Sequence, residues 1–119
     1  MAKVSVKIIG LNKLLKRVNR LPKAMRDKGG RALQVALINT QRGAKRRTPV
    51  DTGRLRSSIR FEVDSQQALV GIVFSDVEYA PFIEFGTVKT PAQPFLFPAW
   101  LEQEKIFRDR LARILAGEL

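Results

Sequence analysis

The sequence predicts an α+β domain: an antiparallel sheet of three or four strands packed against a long helix, kinked or broken near residue 29, and a C-terminal helix. Three observations predict it. Lys3 to Ile9 alternates, with Val4, Val6 and Ile8 opposite Lys3, Ser5 and Lys7, as a half-buried strand does. Between Pro22 and Arg47 the apolar and small residues recur at helical spacing. Arg60 to Asp64 and Ala68 to Ser75 are short runs rich in β-branched and aromatic residues, joined by Ser65-Gln66-Gln67 as a hairpin.

Taken in order, Gly10 ends the first strand, and Asn12 caps a short helix whose Leu14, Leu15, Val18 and Leu21 follow helical spacing. Pro22 suits the first turn of the long helix. Its stripe of Met25, Gly29, Ala32, Leu33, Ala36, Leu37, Thr40 and Ala44 should pack, with Asp27, Arg31, Gln34, Gln41 and Lys45 on the wet side. Each residue of the Gly29-Gly30 pair costs about 1 kcal/mol relative to alanine, hence the expected kink or break. Arg54 to Ser58 makes a helical turn. Of the two hairpin strands, the second is richer in apolar residues (Leu69, Val70, Ile72, Val73, Phe74) and reads as the more central. Pro98 starts the final helix, which carries Trp100, Phe107, Leu111, Ile114 and Leu115 on one stripe and Glu104–Arg108 and Asp109–Arg113 pairs on its surface.

The 119 residues suit one domain spanning 1–119, and 45% hydrophobic content is too high for a mostly disordered chain. No apolar run is long enough to span a bilayer, and the basic start lacks a signal-peptide core, so no membrane partner and cytoplasmic synthesis are expected. The net charge of +11 is unevenly divided: residues 1–60 carry +15 and residues 61–119 carry −4. That division fits a phosphate-contacting face, complementary subunit edges, or a solvated basic helix surface.

Two stretches combine turn residues, short polar groups and aromatics. In Thr48-Pro49-Val50-Asp51-Thr52-Gly53-Arg54-Leu55, Pro49 drives Thr48 out of helical conformation, Asp51 and Thr52 can cap amides, and Gly53 can take positive φ, which makes a rigid corner or a plain helix-to-strand connection. In Tyr79-Ala80-Pro81-Phe82-Ile83-Glu84-Phe85-Gly86-Thr87, Pro81 suits the first position of a helical turn and Gly86 its C-terminal cap. Pro91-Ala92-Gln93-Pro94-Phe95-Leu96-Phe97-Pro98 follows. Its prolines donate no backbone hydrogen bonds, and its apolar residues exceed what a solvent loop needs. Thr87 to Gln93 is therefore expected to be mobile in the free subunit and to order against a neighbour, unless Phe95 and Phe97 pin it to their own core.

The order and spacing of these blocks resemble the small neck or tail-completion proteins that join head to tail in long-tailed double-stranded DNA bacteriophages. The resemblance covers Thr48 to Ala99. It makes Pro49, Asp51, Thr52, Gly53, Tyr79, Glu84 and Gly86 the structural motif, and Thr87, Pro91, Pro94, Phe95 and Phe97 the candidate subunit or partner contacts. It implies a ring-shaped homo-oligomer, six subunits being the size the family suggests, in the virion neck or tail and in contact with other neck or tail proteins. Relatives often carry a basic residue where this chain has Phe97, which removes any charged contact at that point.

The residue inventory argues against an enzyme. Without His or Cys there is no Ser-His-Asp triad, thiol nucleophile, histidine base or ordinary zinc site, and no Walker loop or dinucleotide fingerprint occurs. Glu62, Asp64, Asp76, Glu78 and Glu84 are the carboxylates that could gather a Mg²⁺ ion, but their strand and loop positions favour solvent. No catalytic residue, metal or cofactor is expected. Two functions remain: a ring-forming structural protein around the DNA path, with Arg42, Lys45, Arg46, Arg47, Arg54 and Arg56 as sequence-blind phosphate contacts, or a small basic nucleic-acid-binding protein. The aromatics lie mostly in the acidic half, away from the basic run, which disfavours a base-stacking platform.

Overall fold

A computed structural model describes residues 4–9, 22–49, 53–63 and 70–117. The described elements are β1 (Val4–Ile9), α1 (Lys23–Arg47), α2 (Arg54–Ser58), β2 (Arg60–Val63), β3 (Val70–Ser75), α3 (Ala80–Phe85) and α4 (Phe97–Leu115). The Asn12-capped helix, Asp51 and Thr52 of the corner, and the Ser65-Gln66-Gln67 turn lie outside the described residues.

The sheet order is β1-β3-β2, made by two antiparallel pairings. The hairpin partners meet from Arg60 opposite Phe74 to Val63 opposite Gly71, and β1 runs along the other edge from Val4 opposite Ser75 to Ile9 opposite Val70. β3 is thus central, as its apolar composition requires: all but Ile72 of its residues are buried, whereas β2 is largely exposed. No fourth strand occurs among the described residues.

α1 is continuous through Gly29-Gly30, so the expected break is absent. Gly29 is buried, and the packed stripe it belongs to outweighs a propensity cost of about 1 kcal/mol per glycine. The buried face is the expected one, Ala32, Leu33, Ala36, Leu37, Thr40 and Ala44, with Gly43 added and Met25 only partly covered. Thr40 hides its hydroxyl by donating to the Ala36 carbonyl at 2.7 Å.

The two long helices are antiparallel neighbours. Near the end of α1, a side chain at Gly43 would meet Ala99 at 3.2 Å and Arg47 pairs with Glu102, while near its start Lys28 and Ala32 face Arg113 and Ile114. α4 packs chiefly on α1 rather than on the sheet, so α1 is the middle layer. That corrects the expectation that both helices cover the sheet. The cause is the two-sided packing of α1: Leu37 is fully buried against Gly71 of the sheet, and Gly43 lets Ala99 of α4 approach closely. One core joins these layers, with Ile59, Val73, Phe95, Leu96 and Leu111 fully buried.

Candidate functional site

α3 and the entry to α4 form a corner built on a buried carboxylate. Pro81 lies in the first turn of α3 as its fixed φ permits, and Gly86 ends it at φ 77°, ψ 175°, a region open essentially to glycine alone. A Cβ on Gly86 would stand 2.7 Å from the Ala92 amide nitrogen, so the chain folds back tightly there. Glu84, on this turn, is 5% exposed. Its Oε1 accepts from the amides of Phe95 and Leu96 at 3.2 and 2.9 Å, and its Oε2 from that of Phe97 at 3.3 Å. Three donors at the positive end of α4 hold the negative charge, and that charge satisfies amides that burial of Phe95 and Leu96 has cut off from water.

The connection between these helices is hydrogen-bonded. The Thr87 amide donates to the Thr90 carbonyl at 2.8 Å, the Thr87 hydroxyl accepts from the amides of Lys89 and Thr90, and the Gln93 amide reaches the Ile83 carbonyl at 2.8 Å. The prolines donate none of these bonds; the amides of Thr87, Lys89, Thr90 and Gln93 do, to the Thr87 hydroxyl and the Thr90 and Ile83 carbonyls. Phe95 also departs from its expected role as a contact: it is fully buried and belongs to the core. Phe97 is 53% exposed, and Thr87, Pro91 and Pro94 lie at the surface. Phe82 and Phe85 on α3, Val88 in the connection and Leu101 one turn along α4 from Phe97 are exposed as well, Phe85 by 75%. Large apolar side chains are thus exposed on the segments that flank the Glu84-held amides.

The first motif forms a second corner. Thr48 closes α1 in extended conformation, buried, with its hydroxyl donating to the Lys45 carbonyl at 2.8 Å and accepting from Arg56 Nε at 3.5 Å. Pro49 is half-buried behind it, and Gly53 takes φ 69° at the start of α2. From there a hydroxyl relay runs inward: the Val77 amide donates to Ser75 Oγ, which pairs with Ser58 Oγ at 2.6 Å, and Ser58 donates to the Leu55 carbonyl. Gln41 adds a bond to the Ile59 carbonyl at 2.8 Å. Tyr79 lies half-buried beneath the Arg54 guanidinium, 5.7 Å from ring centre to Cζ.

The basic run divides. Arg47 pairs with Glu102, Arg54 with Glu78 through two bonds near 3 Å, and Arg60 with Asp76 at 2.8 Å, so acids of the second half answer arginines of the first. A hydrogen bond with the backbone of Glu78 itself and, second, its side-chain bonds to Arg54 hold the Glu78 carboxyl below the ordinary glutamate range. Arg56 is turned toward Thr48. Arg42 and Arg46 remain exposed one turn apart, with Lys45 half-buried between them. Of the carboxylates considered for a metal, Asp64 lies outside the described residues, Asp76 and Glu78 are ion-paired and Glu84 is occupied by amides. Among the described residues no group of His, Cys, Asp and Glu could hold a metal ion, and no helix is long and apolar enough to cross a membrane.

Sequence reasoning placed Glu84 in the motif without finding its partners. A signal was present: the start of α4 lacks an acidic or capping residue of its own, so an acceptor must come from elsewhere. The model of the family described as "Bacteriophage HK97-gp10, putative tail-component" matches residues 12–86, well over half of the chain. Comparisons with curated proteins and with solved structures return no match.

Proposed function

The chain belongs to the HK97-gp10-like family of bacteriophage tail components, and from that membership we propose that it is a structural protein of the virion neck or tail, assembling as a ring of identical subunits around the DNA path where head and tail join. The observation that carries the assembly reading is the run of exposed large apolar side chains on α3, its connection and the start of α4, Phe82, Phe85, Val88, Phe97 and Leu101, on segments that Glu84 ties together. Exposed aromatics on a preorganised backbone suit a protein contact, since little ordering entropy remains to be lost on docking. Arg42, Lys45 and Arg46 supply charge for sequence-blind contact with DNA in transit.

Light scattering across a concentration series tests the assembly reading. The wild type should reach a defined multiple of the subunit mass, and Phe85→Ser with Phe97→Ser should remain monomeric with an unchanged melting temperature, both side chains being exposed. Monomers at every concentration, with and without a purified tail tube, would overturn it. For the DNA contact, neutralising Arg42, Lys45 and Arg46 should weaken binding to any duplex equally and flatten its salt dependence. Sequence-selective binding at physiological salt would favour a nucleic-acid-binding protein instead.

A further inference from the structure

At the end of the α1–α4 pair remote from the apolar corner, the two helices leave an open groove of about 740 Å³. Its floor includes Ala32 and Ile114 from the core, and its apolar surface continues onto Val35 and Ile106, which are 39% and 49% exposed. Both walls are basic. α1 contributes Lys28 and Arg31, and α4 contributes Lys105, Arg110 and Arg113, with Asp109 the only acid on the lining among the described residues and already paired to Arg113 at 3.6 Å. Among the described residues Arg31, Lys105 and Arg110 enter no ion pair.

From this arrangement we propose that the groove is a docking site for an acidic amphipathic helix of a partner protein, the helix laying its apolar stripe on Val35 and Ile106 between two flanking rows of carboxylates. A helix fits because a groove between two packed helices accepts a third at an interaxial distance of about 8–10 Å, and its stripe repeats with the same period as the lining residues. Acidity follows from the walls: cations on both sides of an apolar floor match an occupant negative on both flanks and repel a basic one. Duplex DNA matches the walls but not the floor, since a phosphate backbone has no apolar stripe to bury. A second copy of the apolar corner would offer aromatics, but the carboxylate next to Leu101, Glu102, is already paired with Arg47 and Glu84 already accepts three amides. The proposal does not rest on ring formation.

The test uses the full-length chain and, as probe, a fluorescent helical peptide of about five turns with leucine on one stripe and glutamate elsewhere. Saturable binding near physiological salt is expected, weakened at least about tenfold by Val35→Gln with Ile106→Gln, which leaves the charge unchanged, and equally by Arg31→Glu with Arg110→Glu. Lys23→Glu with Lys89→Glu alters net charge as much as the second pair but lies off the groove, and should change binding less than about twofold. These positions are exposed, so unchanged melting curves are expected to accompany all three variants. Absence of saturable binding would overturn the proposal, as would equal loss in both charge-reversed variants with none in the glutamine variant, the mark of unspecific attraction. Displacement of the peptide by duplex DNA at the groove, or a change of oligomeric mass in the glutamine variant, would overturn it in favour of a DNA surface or a self-contact.

Discussion

α1, capped by Pro22, has no side chain among the described residues capping its first turn, whereas the amides leading into α4 converge on one buried carboxylate. The difference follows from solvent. Pro22, Lys23 and Ala24 are exposed, so water can serve the free amides there, and the position of α1 is fixed further along by its buried stripe. Phe95 and Leu96 are fully buried, so their amides must find an acceptor within the protein, and Glu84 provides it across eleven residues of chain. A helix anchored by its middle can leave its start loose. One that emerges from the core cannot.

That contrast can be broken from either side. On the α1 side, Leu37→Ala should have the largest effect, a loss of about 3–5 kcal/mol, because Leu37 is fully buried between helix and sheet and the cavity cannot collapse freely. Denaturant unfolding measures it, and a loss under about 1 kcal/mol would mean that α1 is not anchored by its stripe. On the α4 side, Glu84→Ala should cost about 3 kcal/mol by stranding three amides, with Glu84→Gln intermediate because one carbonyl oxygen remains. Hydrogen exchange gives the sharper readout: the Leu96 amide should lose protection in Glu84→Ala while amides in the middle of α1 keep theirs.

Gly86 and Gly53 both carry positive φ and separate conformational strain from steric conflict. Gly86→Ala should cost roughly 2 kcal/mol or more, since its Cβ would also strike the backbone at Ala92. At Gly53 the space is open, so Gly53→Val should cost just over about 1 kcal/mol through backbone strain, and Gly53→Asn a few tenths. Equal melting temperatures for Gly53→Val and wild type would relocate the value of that corner to a contact with another molecule.

The smallest effect concerns the surface pair Arg54–Glu78. The Glu78 carboxyl titrates below its ordinary range in the folded state, so its contribution is complete above that range and is lost as pH falls through the depressed value. A slight drop in melting temperature on acidification should be absent in Glu78→Gln and reduced by high salt, as expected of an exposed ion pair.

Much of this was legible because it is local. The stripe of α1, the central character of β3, the extended Thr48 before Pro49 and the glycine ending α3 each depend on neighbours within a turn or two, and each stands where the sequence puts it. The uninterrupted path through Gly29-Gly30 was not legible, because packing against a distant segment outweighs a local propensity. Phe95 and Phe97 show the same limit: two aromatics two residues apart look alike in the sequence, yet one enters the core and the other faces solvent according to where the amide staple turns the chain.

By itself, then, the sequence determined the element types, the corners and the lack of a histidine or thiol for chemistry, since those follow from backbone preferences, periodicity and residue inventory. Only the tertiary structure decided which charges meet. It paired Arg47 with Glu102 and Arg54 with Glu78, laid α4 on α1 rather than on the sheet, and gave Glu84 its three amides, because each of these depends on bringing together residues far apart in the chain.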